Sequence, residues 1–81
     1  MLDYEIVEDE WAPEIGDKVR VLRYTFDPSI AKTVMKIMSK TKYIGIIRQI
    51  RERWIYVSDS NDCLWIFYED ELERLDKNVR I

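Results

Sequence analysis

The second half of the chain consists of three short runs rich in β-branched and aromatic residues, separated by two polar segments. The runs are Tyr43–Ile50, Trp54–Ser58 and Cys63–Phe67. Arg51-Glu52-Arg53 separates the first two, and the turn-forming residues of Asp59–Asp62 precede the third. Runs of about four to eight such residues, joined by short polar turns, are typical of antiparallel hairpins. The sequence therefore predicts three consecutive strands of one sheet.

Further elements are predicted on both sides of these hairpins. Lys18–Arg23 alternates valine with basic residues, which predicts a half-buried strand, and Leu72–Leu75 predicts a short fifth strand after a helical turn at Glu69–Glu71. The connection 24–42 has apolar residues at helical spacing, which predicts either about three turns of helix or a long ordered loop. Gly45 predicts a β-bulge or a sharp bend. The expected fold class is all-β, a small five-stranded barrel whose closure removes exposed sheet edges.

A chain of 81 residues is expected to form one domain, here residues 15–75. Residues 1–14 are expected to be an acidic N-terminal segment in which Leu2–Ile6 alternates as an edge strand, and residues 76–81 a short tail. The single cysteine, Cys63, excludes a disulfide framework. With no signal peptide at the N-terminus and no apolar run near ~20 residues, we expect a cytoplasmic protein that does not associate with membranes.

The charges are divided among three blocks that have net charges of −7, +8 and −4 and together give the chain's −3. Residues 1–17 contain seven acids and no base, whereas residues 18–53 contain ten bases and two acids. Residues 54–81 are acidic again. The basic middle block either binds an acidic partner or is neutralised by the acidic ends of the same chain.

Several residue types that enzymes and metal sites require are scarce or missing. The chain has no histidine, which removes the commonest general base and the commonest zinc ligand. Two glycines are too few for a phosphate-binding loop. Asp59 and Asn61 begin a calcium-loop pattern, but Leu64 stands where that pattern needs glycine. We therefore expect no catalytic residues, no metal site and no cofactor.

The order of IGDKVRVL, a long connection, YIGIIRQI and WIYVSDSNDCLWIFYEDELERL resembles a Src-homology-3-like barrel. More narrowly, it resembles the small stand-alone barrel proteins of Gram-positive phages and prophages (the YorP type). The resemblance covers roughly Ile15 to Leu75. Most of it lies in Val57-Ser58-Asp59, Phe67, Glu69 and Glu71-Leu72. The 24–42 segment is longer and more helix-like than in that family.

The resemblance implies a place for a ligand. In peptide-binding barrels of this type, aromatics from the long first loop, the start of the third strand and the helical turn form a groove for extended ligands. The matching positions are Tyr24, Phe26, Trp54 and Tyr68; the alternative is that these rings complete a small core. Relatives usually have acids in that loop, whereas this chain has Lys32, Lys36, Lys40 and Lys42. The ligand is therefore expected to be acidic or neutral, unless the lysines form only a solvated helix face.

We expect a non-enzymatic module that binds a protein partner, as a phage-encoded adaptor or an inhibitor of a host protein. The predicted contact residues are Tyr24, Phe26, Lys32, Lys36, Arg51, Arg53, Trp54 and Tyr68. The alternative is a nucleic-acid-binding barrel, since basic residues and aromatics interleave in the hairpin around Arg51-Glu52-Arg53. Its contacts would be Lys32, Lys36, Lys40, Arg48, Arg51 and Arg53. A pI of about 4.9 and neutralisation by the acidic ends weigh against it.

A third class of function is a structural part of a larger assembly. The sequence predicts no oligomeric state.

Overall fold

The computed structural model describes residues 12–75. Five strands lie within them: β1 (Lys18–Val21), β2 (Ile44–Arg51), β3 (Trp54–Ser58), β4 (Leu64–Tyr68) and β5 (Leu72–Arg74). All neighbouring strands are antiparallel, and the order across the sheet is β4-β3-β2-β1-β5. Between β1 and β2, a 3₁₀ turn at Pro28–Ile30 leads into helix α1 (Ala31–Ser39), and a second 3₁₀ turn at Glu69–Glu71 joins β4 to β5.

The predicted five-stranded antiparallel structure is confirmed, and its long first connection contains a helix rather than only a loop. The strand β3 and the turn Glu69–Glu71 have the predicted bounds, and the other strands differ by one or two residues at an end. The predicted edge strand Leu2–Ile6 and the tail 76–81 lie outside the described residues. Within residues 12–75, no helix is long and apolar enough to cross a bilayer.

Helix α1 begins after a capped turn and packs one side against the sheet. The Asp27 carboxylate accepts hydrogen bonds from the Ser29 amide at 3.1 Å and the Ser29 hydroxyl at 2.7 Å, and Pro28 occupies the first position of the turn. Val34 and Met38, one turn apart, are fully buried. Lys32, Lys36 and Lys40 fall at the same spacing on the opposite side of the helix, so they face away from the core.

The core lies between α1 and one face of the sheet. Its buried apolar residues are Val19, Val21, Tyr24, Val34, Met38, Ile47, Ile55, Val57, Phe67 and Leu72. In β3 and β4 these alternate with residues that face outward, as the period of a strand requires. This alternation fixes which side chains of the two strands are available at the surface.

Of the two predictions for Gly45, the β-bulge is wrong, because Gly45 pairs regularly with Val19, and the sharp bend stays a prediction. The register shift of β2 lies instead between Ile47 and Gln49. A Cβ atom at Gly45 would lie 2.5 Å from Val57 Cγ1 and 2.6 Å from the Ser58 carbonyl oxygen. The glycine is therefore a close-packing position, where α1 and β3 approach the backbone of β2.

The turn between β3 and β4 is organised by the buried carboxylate of Asp59. One of its oxygens accepts the amides of Asn61 and Cys63 at 2.7 and 3.0 Å, and the other accepts Trp65 Nε1 at 2.8 Å. Burial acts to raise the pKa of Asp59, but these hydrogen bonds outweigh it and hold the pKa below its usual value of 3.8. Asp59 thus fixes the turn that sets the register of β4 on β3.

Candidate functional site

Three aromatic rings meet at the surface and are called here the aromatic surface: Phe26, Trp54 and Tyr68. The Phe26 ring centroid lies 6.5 Å from that of Trp54 and 6.4 Å from that of Tyr68. Phe26 is 41% exposed and Trp54 is 38% exposed, while Tyr68 is half-buried. Trp54 and Tyr68 are directly opposite each other in the β3–β4 ladder, so their side chains stand on the same face. Phe26 reaches them from the long first connection.

The same outward face continues across three strands. Arg51 is opposite Trp54 in the β2–β3 ladder, which places its side chain next to that indole. A second row runs in parallel through Gln49, Tyr56 and Ile66. Neither row contains a carboxylate. The sequence reasoning did not assign Tyr56 and Ile66 to the site, although the alternation of each strand already placed them on the outer face.

An open pocket of about 730 Å³ adjoins Tyr68. Its lining comprises Arg23, Thr25, Arg53, Tyr68, Glu69, Asp70 and Glu71. Arg23 forms an ion pair with Asp70 at 3.6 Å across this pocket. Arg53, in the β2–β3 turn, lines this pocket together with the residues of the 3₁₀ turn, so it lies beside the Tyr68 end of the aromatic surface.

A buried carboxylate holds the two halves of the site together. Glu71 is only 2% exposed and accepts hydrogen bonds from the Tyr68 amide at 3.0 Å and from the Thr25 hydroxyl. Thr25 precedes Phe26 in the chain, so this one side chain links the first connection to the end of β4. Glu71 was identified from the sequence only as part of the resemblance and of the helical turn, and it was not assigned to the site, because its neighbours Glu69 and Asp70 are acids of the same type.

Tyr24 does not join the aromatic surface. It is 6% exposed, and its ring meets that of Phe67 edge to face at 5.5 Å between centroids. Burial, together with the negative charges of Asp27 and Glu71, raises the pKa of Tyr24 above its usual value of 10.0. Tyr24 is therefore part of the core, which is the alternative that the sequence analysis gave for these rings.

The predicted basic residues lie at different distances from the aromatic surface, and only some of them adjoin it. Arg51 and Arg53 lie beside the aromatic surface, as described above. Arg48 instead binds the Ser58 hydroxyl at 3.2 Å and lies 4.0 Å from Asp62, at the opposite end of the β2–β3 ladder. Among residues 12–75, no hydrogen bond or ion pair joins Lys32 or Lys36 to the aromatic surface, and neither lines the pocket beside it.

Most of these cations are not neutralised by the part of the chain that the structure describes. Ion pairs within it join Arg20 to Glu73 at 3.3 Å, Arg23 to Asp70 at 3.6 Å and Arg48 to Asp62 at 4.0 Å. Within residues 12–75, no carboxylate lies within 4.0 Å of the charged groups of Lys32, Lys36, Lys40, Arg51 or Arg53. Two charged guanidinium groups therefore stand beside exposed aromatic rings.

Comparison of the chain with protein-family models, curated proteins and solved structures found no match. The resemblance to the small phage barrels therefore stays a prediction. The chemistry of the site follows from its own residues. They are the Phe26 ring, which contacts both Trp54 and Tyr68, and two arginines without a carboxylate partner within residues 12–75.

Proposed function

We propose that this chain is a non-enzymatic module that binds a protein segment at the aromatic surface. The observation that carries the proposal is the packing of Phe26 on both Trp54 and Tyr68 outside the core. A small protein gains stability from each large apolar side chain that it buries. Aromatic clusters that stay exposed are typical of binding surfaces, where rigid rings supply contact area at a low cost in conformational entropy.

The strand order supports the interpretation of the fold as a Src-homology-3-like barrel. After β1 to β4 follow one another across the sheet, β5 returns to pair with β1. The residues around the aromatic surface come from the long first connection, the β2–β3 turn and the 3₁₀ turn before β5. These are the connections that the resemblance assigns to ligand binding. Residues from three connections on one scaffold are a common way to build a binding site.

The charges beside the rings indicate the class of ligand. Guanidinium groups bind carboxylates with paired hydrogen bonds and stack on aromatic faces. Arg51 and Arg53 have no carboxylate partner within residues 12–75. The expected ligand is therefore an extended protein segment that has carboxylates next to an apolar or aromatic side chain. This chain then acts as an adaptor or an inhibitor, and the protein that contains the acidic segment is its partner.

The test is affinity capture with the wild-type chain and with Trp54→Ala, each immobilised at equal density in the same cell lysate. Tyr43→Ala is the matched control, because Tyr43 is an aromatic residue with 39% exposure, against 38% for Trp54. We expect proteins that the wild type and the control capture and that Trp54→Ala loses. Identical captured sets for all three, with folding verified by circular dichroism, would falsify the proposal.

A second function, nucleic-acid binding, is favoured by one observation. Lys32, Lys36 and Lys40 face away from the core on α1 and have no carboxylate partner within residues 12–75. Arg48 counts against it, because it is already engaged by Ser58 and Asp62. This function predicts binding to DNA or RNA that weakens steeply as salt rises. Fluorescence anisotropy at low salt that shows no binding to any single- or double-stranded probe would remove it.

A further inference from the structure

The two arginines beside the aromatic surface, Arg51 and Arg53, lack ion-pair partners in a region whose charges nearly balance. Residues 12–75 contain eleven bases and ten acids, so their net charge is +1. Arg20, Arg23 and Arg48 have ion-pair partners there, but Arg51 and Arg53 do not. The acids that make the whole chain negative must therefore lie outside residues 12–75.

The N-terminal acidic segment, residues 1–11, has the complementary composition. It contains five acids and no base, and its large apolar residues are Leu2, Tyr4, Ile6, Val7 and Trp11. Its acids are Asp3, Glu5, Glu8, Asp9 and Glu10. Carboxylates that alternate with apolar and aromatic side chains are the class of ligand that the rings and arginines of the site fit.

The segment is also long enough to reach the site in the same molecule. The Gly16 amide donates to the Ile47 carbonyl at 2.7 Å, and Val57 is opposite Ile47. Trp54 lies three residues from Val57 along β3, a distance of about 10 Å at ~3.3 Å per residue. Eleven extended residues span up to about 36 Å. The two strand spacings from Gly16 to Ile47 and from Ile47 to Val57 add about 10 Å, so the path from Gly16 to Trp54 is about 20 Å. That path is shorter than the extended span of the eleven residues.

We propose that the N-terminal acidic segment binds the aromatic surface of its own chain, with carboxylates on Arg51 and Arg53 and apolar side chains on Phe26, Trp54 and Tyr68. This inference rests on the proposed function. It names a ligand of the aromatic surface and a way in which the binding of an external partner is regulated. An external acidic partner binds by displacing the segment. A tethered segment acts at an effective concentration in the millimolar range, so a weak contact is enough to compete.

The experiment adds an unlabelled synthetic peptide of residues 1–11 to the ¹⁵N-labelled full-length chain and follows its amide and indole signals by NMR. One chain is wild type, and the other has its own segment neutralised by D3N, E5Q, E8Q, D9N and E10Q. We expect the peptide to shift the Trp54 indole signal of the neutralised chain with a sub-millimolar Kd. We expect the wild type to bind it roughly tenfold more weakly, because its own segment competes.

Two charge variants of the neutralised chain locate the contact. Arg51→Gln with Arg53→Gln removes two positive charges at the site, and Lys32→Gln with Lys36→Gln removes two from α1. We expect the arginine pair to weaken peptide binding at least tenfold and the lysine pair to leave it within about twofold, because salt screens distant charges over ~10 Å. Equal losses in both pairs would place the contact elsewhere and overturn the inference.

The remaining outcomes separate this inference from the proposed function. No peptide binding to the neutralised chain, or equal binding to both chains, overturns the intramolecular contact. If affinity capture still depends on Trp54 in either case, the aromatic surface keeps its protein-binding role. If capture is independent of Trp54 while the peptide binds, the segment covers the surface but the surface has no external partner.

Discussion

Tyr24 and Phe26 are two aromatic residues separated by one position, and they lie in opposite environments. Tyr24 packs on Phe67 in the core, whereas Phe26 packs on Trp54 and Tyr68 at the surface. Both rings make edge-type contacts at similar distances, 5.5 Å for Tyr24 and 6.5 Å from Phe26 to Trp54. Ring contact alone therefore does not distinguish an aromatic residue of the core from one that is available to a ligand; exposure to solvent does.

The two groups of rings are expected to contribute differently to stability and binding. The group formed by Tyr24 and Phe67 is removed from water by folding, so its contacts stabilise the chain. The aromatic surface remains partly wet after folding, so it still has apolar area to bury against a ligand. Substitutions in the first group should act on the free energy of unfolding, and substitutions in the second should act on binding.

The largest effect is expected for Phe67→Ala. Phe67 is fully buried, and loss of a buried phenylalanine side chain typically destabilises a protein by about 3–5 kcal/mol. That is a large part of the roughly 5–15 kcal/mol that domains have in total. Urea unfolding followed by far-UV circular dichroism measures it. A loss below about 1 kcal/mol would mean that the core does not depend on this ring.

A smaller effect is expected for Trp54→Ala on the same stability measurement. Its side chain is 38% exposed, its ring contacts Phe26, and its cross-strand neighbour is Tyr68. A cross-strand pair contributes roughly 0.2–1 kcal/mol. We expect a destabilisation of about 1 kcal/mol or less together with the loss of captured proteins. A destabilisation as large as that of Phe67→Ala would contradict the division between the two groups.

The smallest effect is expected for Tyr24→Phe and appears only at high pH. Because the folded state raises the pKa of Tyr24 above 10.0, it holds the phenol proton more tightly than the unfolded chain does. The stability that this contributes is present below pH 10 and decreases as the pH rises through the folded pKa. Wild type should therefore lose stability relative to Tyr24→Phe above pH 10. A difference between the two chains that stays constant from pH 8 to 11 would show that the hydroxyl is not buried.

Much of the secondary structure was predictable, because strand alternation and turn residues agree along the second half of the chain. The strand β3 has clear alternation and polar turns at both ends, and its bounds were predicted correctly. The helix was predicted only as one of two alternatives. Its apolar spacing is clear, but the segment is nine residues long and depends on packing of Val34 and Met38 for its stability.

The site was predictable only in part, because its geometry depends on contacts between distant parts of the chain. Trp54 and Tyr68 were assigned from the resemblance, and Arg51 and Arg53 as basic residues of the adjoining hairpin. The burial of Tyr24 and the exposure of Phe26 could not be predicted. The stretch before Asp27 lies outside the regular strands, so no strand pairing fixes which of its side chains face the core. The burial of Glu71 likewise depends on Thr25, which is 46 positions away.

The pairing of β1 with β5 determines the order in which the sheet is expected to assemble. Val19 pairs with Arg74 across a separation of 55 positions, whereas β2 and β3 are joined by a tight turn. By loop-closure entropy, the longer contact costs about 2 kcal/mol more to form first. The β2–β3–β4 meander should therefore fold early, and β1–β5 should close late and open first in native-state hydrogen exchange. Trp54 and Tyr68 would then be in place before Phe26 and Glu71 arrive, so the aromatic surface is complete only when folding is complete.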